Sequence, residues 1–188
     1  AEMGTFAHRV LEVSHKELLA HAMERAAGTS ELERIATEDD QGAHGEAWCA
    51  EVDRLVTLAG ADPTARVVGS RVGLSDERGL EAARQALLAE FDAHLSHQYQ
   101  LVRGRRPLPQ ALVAHTAAER GQVEALRRDL STLLDYEAGL LAGYEPRLFE
   151  WSFGRGEAEV EYAGVRLTGT VDRVDVDAEN RAVVIDYK

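Results

Sequence analysis

The residues with the most chemistry in them stand at the end of the chain: Gly169-Thr170-Val171-Asp172-Arg173-Val174-Asp175, then Val183-Val184-Ile185-Asp186-Tyr187-Lys188. Strand side chains alternate faces, so Asp186 and Lys188 project together while Tyr187 points away and offers its backbone carbonyl. Asp177-Ala178-Glu179-Asn180 is rich in turn formers and predicts an antiparallel hairpin. A reversal with an odd number of residues, Ala178 to Asn180 for example, sets Asp172 directly opposite Asp186 on one face. An even loop sets them on opposite faces unless a bulge intervenes.

Two carboxylates facing each other across a hairpin repel, so the pair calls for a cation. Hard oxygen ligands suit magnesium or manganese. Such an ion polarises a phosphodiester, lowers the pKa of a bound water and steadies the leaving oxygen, while an adjacent ammonium orients the water or stabilises the developing charge. Lys188 fits that last role. The chain has 19 arginines and only two lysines, Lys16 and Lys188. A compact ammonium where guanidinium is the habit points to chemistry, because the two cations are not interchangeable.

The elements that position these residues are legible in outline. Phe6, Val10, Leu11, Val13, Leu18 and Leu19 predict a helix over 5–26 that stops at Gly28. Ser30 to Gly45 is polar and reads as helix end and loop, Glu46 to Leu58 as helix, and Gly60 to Gly73 as loop with a short extended piece. Ser75-Asp76-Glu77 caps a helix running to Tyr99, with Leu80, Ala83, Leu87, Leu88, Phe91 and Leu95 as its apolar stripe. Gln110 to Ala142 reads as one long helix ended by Gly143. After Pro146 the β-branched and aromatic residues predict strands. The expected fold is α/β of the α+β kind: a helical N-terminal portion, 5–143, packed on a central mixed sheet, 147–188, whose C-terminal hairpin carries the active site.

At 188 residues and 45% hydrophobic, the chain is long enough for one sizeable core and reads as a single domain, 1–188, or as part of a larger protein. It holds no apolar run of about 18 residues and no signal-peptide pattern, so no membrane contact is expected. A lone Cys49 forms no internal disulfide, which fits a reducing, cytoplasmic setting. The net charge of −12 counts against a protein that grips phosphate unaided. The acidity is uneven: residues 1–75 carry 13 acids against 7 bases, residues 76–135 carry 9 against 8, including Arg103, Arg105 and Arg106. That basic loop reads first as solvated surface. DNA as substrate therefore requires metal ions to neutralise the local carboxylates and another domain or subunit to supply most of the grip.

Gly-x-Val-Asp-Arg-Val-Asp followed by an apolar strand ending Asp-Tyr-Lys resembles the PD-(D/E)XK nucleases of the RecB and AddB type, and the related CRISPR-associated exonucleases. Members also carry a histidine on an early helix in a Gly-x-x-x-His setting, and Gly4-Thr5-Phe6-Ala7-His8 matches it. The resemblance implies that His8, Asp172, Asp186 and the carbonyl of Tyr187 bind magnesium or manganese and that Lys188 assists catalysis. It also implies a DNA exonuclease rather than an endonuclease, acting on single strands with a helicase domain or subunit in recombinational repair. Glu150 resembles a recurrent family glutamate before the core hairpin, without an assigned role. The family pattern runs on past the lysine with a further strand and a helix bearing a glutamine or tyrosine motif, so these residues read as a fragment. Some AddB-like members hold an iron-sulfur cluster on four cysteines; Cys49 cannot supply that, and no cluster is expected.

Two other readings stand beside it: a nuclease-like module that has lost its chemistry and serves DNA scanning or assembly, and a stand-alone CRISPR-associated or repair exonuclease. Intact Asp172, Asp186 and Lys188 weigh against the first. His15, His21, His44, His94, His97 and His115 lack such a motif and read as ordinary surface or core residues, and Arg173 and Asp175 as a structural ion pair or as partners of neighbouring backbone, ahead of substrate contact. Asp175 to Glu179 is no calcium loop, because Asn180 stands where such loops need glycine.

Overall fold

The computed structural model describes residues 2–63, 77–103, 112–154 and 159–187. Among the described residues five helices precede five strands: α1 (Glu2–Ala27), α2 (Glu31–Glu38), α3 (Glu46–Ala61), α4 (Glu77–Arg103), α5 (Ala117–Leu140), β1 (Glu145–Phe153), β2 (Val160–Tyr162), β3 (Val165–Leu167), β4 (Gly169–Val176) and β5 (Ala182–Ile185). The fold is α+β, as the run of helical then alternating sequence predicts. Among the described residues the strands form an antiparallel three-stranded sheet, ordered β1-β4-β5, and a separate hairpin of β2 and β3.

The apolar stripes do what their spacing implies. Phe6, Val10 and Leu11 of α1 pack with Ala83, Leu87 and Phe91 of α4 and with Val123, Leu130 and Leu134 of α5 in the main core. The rings of Phe6 and Phe91 meet edge to face, centroids 5.0 Å apart. Gly28 at φ 69° and Gly143 at φ 85° take the left-handed conformation that ends a helix, which glycine adopts without a Cβ clash. Phe149 of β1 packs against Leu19 and Ala22 of α1 and Ala59 of α3, so the sheet sits under the first and third helices.

Two boundaries differ from the periodicity. The stretch read as loop after Gly28 contains α2, because Leu32 and Ile35 dock against Ala20, Trp48 and Val52 in a second core. The carboxylate of Glu24 accepts the Leu32 amide at 3.0 Å and so serves as a cap from outside the helix. The last helix begins at Ala117 rather than Gln110, fixed by a capping box in which Thr116 accepts from the Glu119 amide and Glu119 accepts from the Thr116 amide.

Candidate active site

The hairpin of β4 and β5 pairs Arg173 with Ile185, Val174 with Val184, Asp175 with Val183 and Val176 with Ala182. The reversal between them, Asp177 to Arg181, holds an odd number of residues, and Asp177 organises it by accepting the amides of Glu179 and Arg181 at 3.0 and 2.8 Å. One step further along the same register sets Asp172 opposite Asp186. Regular strand pairing gives way there to a side-chain bond: the Tyr187 amide donates to Asp172 Oδ2 at 2.6 Å. Asp172 is therefore oriented by the backbone two residues from the end of β5, whereas Asp186 is exposed. Lys188 lies outside the described residues.

On the other side of β4, β1 pairs Phe149 with Arg173 and Trp151 with Val171, so Glu150 stands across from Asp172. Glu150 is held at φ 46°, a conformation that costs a side-chain-bearing residue about 1–2 kcal/mol. Such strain inside a strand marks positions the surroundings over-determine. The motif glycine has a packing reason: a Cβ on Gly169 would stand 2.9 Å from the ring of its cross-strand partner Phe153.

Helix α1 brings its histidine to this place. His8 Nδ1 stands 3.6 Å from Asp172 Oδ2, and its ring meets the Tyr187 ring edge to face with centroids 5.7 Å apart. His8, Leu11, Glu12, Phe149, Glu150, Asp172, Arg173 and Tyr187 line one small cleft. Glu12 lies one helical turn beyond His8, a spacing visible in the sequence, and was missing from the sequence-derived set. Its carboxyl is pushed up by burial but, on balance, held below the usual range by Lys16, whose ammonium lies 2.5 Å away, and by Arg9. The Glu150 carboxyl is raised, first by burial and then by the negative charges of Glu12 and Asp172.

The donor set of this cleft fits a divalent cation. It offers an imidazole nitrogen and carboxylates in a setting that already resists a further negative charge, and the 3.6 Å between His8 and Asp172 is close to the separation of about 3 Å that two ligands of one small ion keep. Sequence reasoning and geometry thus agree on placing His8 beside Asp172.

Behind the cleft a buried ionic network holds the hairpin end. Arg173, 1% exposed, donates through Nη1 to Tyr187 Oη at 2.6 Å and to His15 Nε2 at 2.7 Å, and lies 2.8 Å from Asp175 and 3.0 Å from Glu137. His15 Nε2 also stands 3.2 Å from Glu137 Oε2, and His15 Nδ1 lies 2.8 Å from the Leu11 carbonyl. The structural ion pair expected of Arg173 and Asp175 is present. His15, which reads from sequence as an ordinary residue, is buried as one of the partners that fix Arg173. Arg103 ends α4, and Arg105 and Arg106 lie outside the described residues. No described helix is long and apolar enough to cross a membrane.

The sequence profile of the PD-(D/E)XK nuclease superfamily matches residues 73–188. The matched segment contains β1, β4 and β5 with Glu150, Asp172 and Asp186, and leaves His8 and Glu12 outside. No curated protein and no solved structure matches the chain.

Proposed function

The chain belongs to the PD-(D/E)XK nuclease superfamily, and we propose that within it this protein is a magnesium- or manganese-dependent deoxyribonuclease of the RecB/AddB type. On this reading it is one domain, an exonuclease that hydrolyses single-stranded DNA delivered by a helicase domain or subunit during recombinational repair. The observation that carries the proposal is the meeting of His8 Nδ1 with Asp172 Oδ2 at 3.6 Å, between residues 164 positions apart in the chain. The early-helix histidine motif of the resemblance gives a reason for that pairing.

His8, Asp172, Asp186 and the carbonyl of Tyr187 would hold the ion, which when bound supplies a polarised phosphodiester and a water of lowered pKa. The Tyr187 amide holds Asp172 Oδ2, the same oxygen that stands 3.6 Å from His8 Nδ1. His8 must present its ring nitrogen unprotonated to bind. Lys188 follows Asp186 at the two-residue spacing that puts both on one side of an extended chain, where its ammonium would hold the attacking water or the charge on the phosphate. Glu12, Glu150 and Asp172 repel phosphate by themselves, so substrate approach depends on the cation.

The test is cleavage of labelled single- and double-stranded DNA by the whole chain, with magnesium, manganese or chelator. Asp172→Asn, Asp186→Ala and Lys188→Ala should each lower the rate by at least about a hundredfold, the upper end of what loss of an outer partner of a metal site costs. Unchanged cleavage by Asp186→Ala and Lys188→Ala would overturn the site assignment. Metal-dependent DNA binding without cleavage by the unaltered chain would favour the inactive scanning module instead.

A further inference from the structure

Directly after Lys16, helix α1 contributes Glu17 to a second group of ligating side chains. Glu17 on α1, His44 in the turn before α3 and Glu90 on α4 place one ligand atom each within 4.8 Å of one another. Glu90 is 3% exposed although it is a carboxylate in a helical core. His44 Nδ1 is 2.9 Å from Glu90 Oε1, and His94 Nδ1 is 3.3 Å from Glu90 Oε2. Glu17 Oε1 lies 3.6 Å from His21 Nε2, and Glu17 Oε2 is shut off from solvent with no hydrogen-bond partner.

That last atom needs a reason. A buried carboxylate oxygen left unpaired costs more than an ordinary lost hydrogen bond, and it stands here beside a second buried carboxylate. Burial alone would raise the Glu90 carboxyl, yet His44 and His94 hold it well below the usual range. His44 has φ 66°, and its ring lies against Trp48 at 4.8 Å between centroids.

We propose that Glu17, His44 and Glu90 form a binding site for a zinc-class divalent cation, separate from the nuclease cleft. One imidazole with two carboxylates is the set that zinc takes readily, whereas magnesium prefers oxygen alone and keeps its waters. His94 remains on Glu90 as the outer partner that orients it. The three ligands come from three segments far apart in sequence, so the ion staples α1 to α4 and to the turn before α3, and its binding energy becomes folding energy. Since α1 also bears His8 and Glu12, the staple fixes the helix that completes the cleft. The inference does not rest on the nuclease reading.

The test uses the whole chain carrying His8→Ala and Asp172→Ala, which removes zinc binding at the cleft, in excess magnesium. Competition with a chromophoric chelator should show one equivalent of zinc bound, with a rise in melting temperature that magnesium does not reproduce. Adding Glu17→Gln, which keeps the side-chain shape, or His44→Ala should weaken zinc at least about tenfold and remove most of that rise. No stoichiometric zinc binding, or binding indifferent to both substitutions, would overturn the site. If His44→Ala does not fold, Glu17→Gln decides alone.

Discussion

Tyr187→Phe removes one oxygen and tests whether the buried network and the cleft are one mechanical unit. The phenol accepts from Arg173 Nη1 at 2.6 Å and lies 3.4 Å from Glu137 Oε1 as a weak donor. A hydrogen bond with a charged partner contributes about 1.5–3 kcal/mol net. The Arg173 group left behind is 1% exposed, so water cannot replace the lost acceptor cheaply. Arg173 keeps Glu137, Asp175 and His15, which places the loss at about 2 kcal/mol, or roughly 4–8 °C in melting temperature for a chain of this size. Tyr162→Phe is the control, because Tyr162 is 75% exposed on β2 and should change stability by no more than about 0.5 kcal/mol.

The same substitution has a functional arm. Tyr187 donates its amide to Asp172, so releasing its ring lets the hairpin end move and Asp172 turn. Magnesium affinity, measured by calorimetry on the whole chain, should fall about tenfold, the lower range for loss of an outer-shell support. A melting temperature within about 1 °C of the unaltered chain would refute the stability reasoning. A lowered melting temperature with unchanged metal affinity would show that the network stabilises the fold without orienting the site.

Glu150→Gln should raise the metal-free melting temperature at neutral pH and shrink the rise that magnesium gives. The Glu150 carboxyl is raised in the folded chain by burial, Glu12 and Asp172, so its stabilising protonated state is complete below about 4.5 and is lost as pH climbs through the folded value; a thermal scan at pH 4 and 8 in chelator checks both signs, and a drop in stability at pH 8 would contradict it. His8→Ala should weaken manganese binding more than magnesium binding, since imidazole nitrogen suits manganese better; equal losses in calorimetric titrations would remove His8 from the ligand set. Trp48→Ala empties the centre of the second core and should cost about 3–5 kcal/mol in denaturant unfolding; a cost under about 1 kcal/mol would mean that α2 and α3 hold to α1 by other contacts.

How much of this was legible in the sequence depended on whether the signal was local. Asp172 opposite Asp186 follows from two strands and an odd turn; the strands and the turn formers were written in neighbouring residues, whereas the sequence left odd and even turns open and the pairing of Val176 with Ala182 decides it. His8 was legible because the resemblance supplied a motif; periodicity alone gives no reason to bring it near residue 172. Glu12 carried a weak signal, four residues after His8 on one helix face, that becomes meaningful only once the cleft is known. Helix α2 is short and polar, and exists because Leu32 and Ile35 find Trp48 and Ala20, a contact that no window of sequence contains. The start of α5 was written in Thr116-Ala117-Ala118-Glu119, and the apolar period upstream of it concealed the cap. His15, Glu137, His44 and Glu90 were out of reach for the same reason as α2: their partners lie 46 to 158 positions away.

The charge of the molecule ties the proposed chemistry to the fold. Two basic side chains on the paired helices are already spent, Arg84 on Asp135 at 2.7 Å and Arg127 on Asp92 at 3.0 Å, so they hold α4 to α5 rather than offering themselves to phosphate. Arg173 is buried behind the cleft, and Lys16 is tied to Glu12. The cleft itself gathers Glu12, Glu150 and Asp172, with Glu150 already resisting ionisation. A phosphodiester meets net repulsion there until a divalent cation is bound, and the same carboxylates that repel the phosphate attract the cation. On the proposed reading, a net charge of −12 is therefore a gate rather than an obstacle: metal and nucleic acid each make the cleft acceptable to the other, and affinity for the strand must come from a partner that brings its own positive charge.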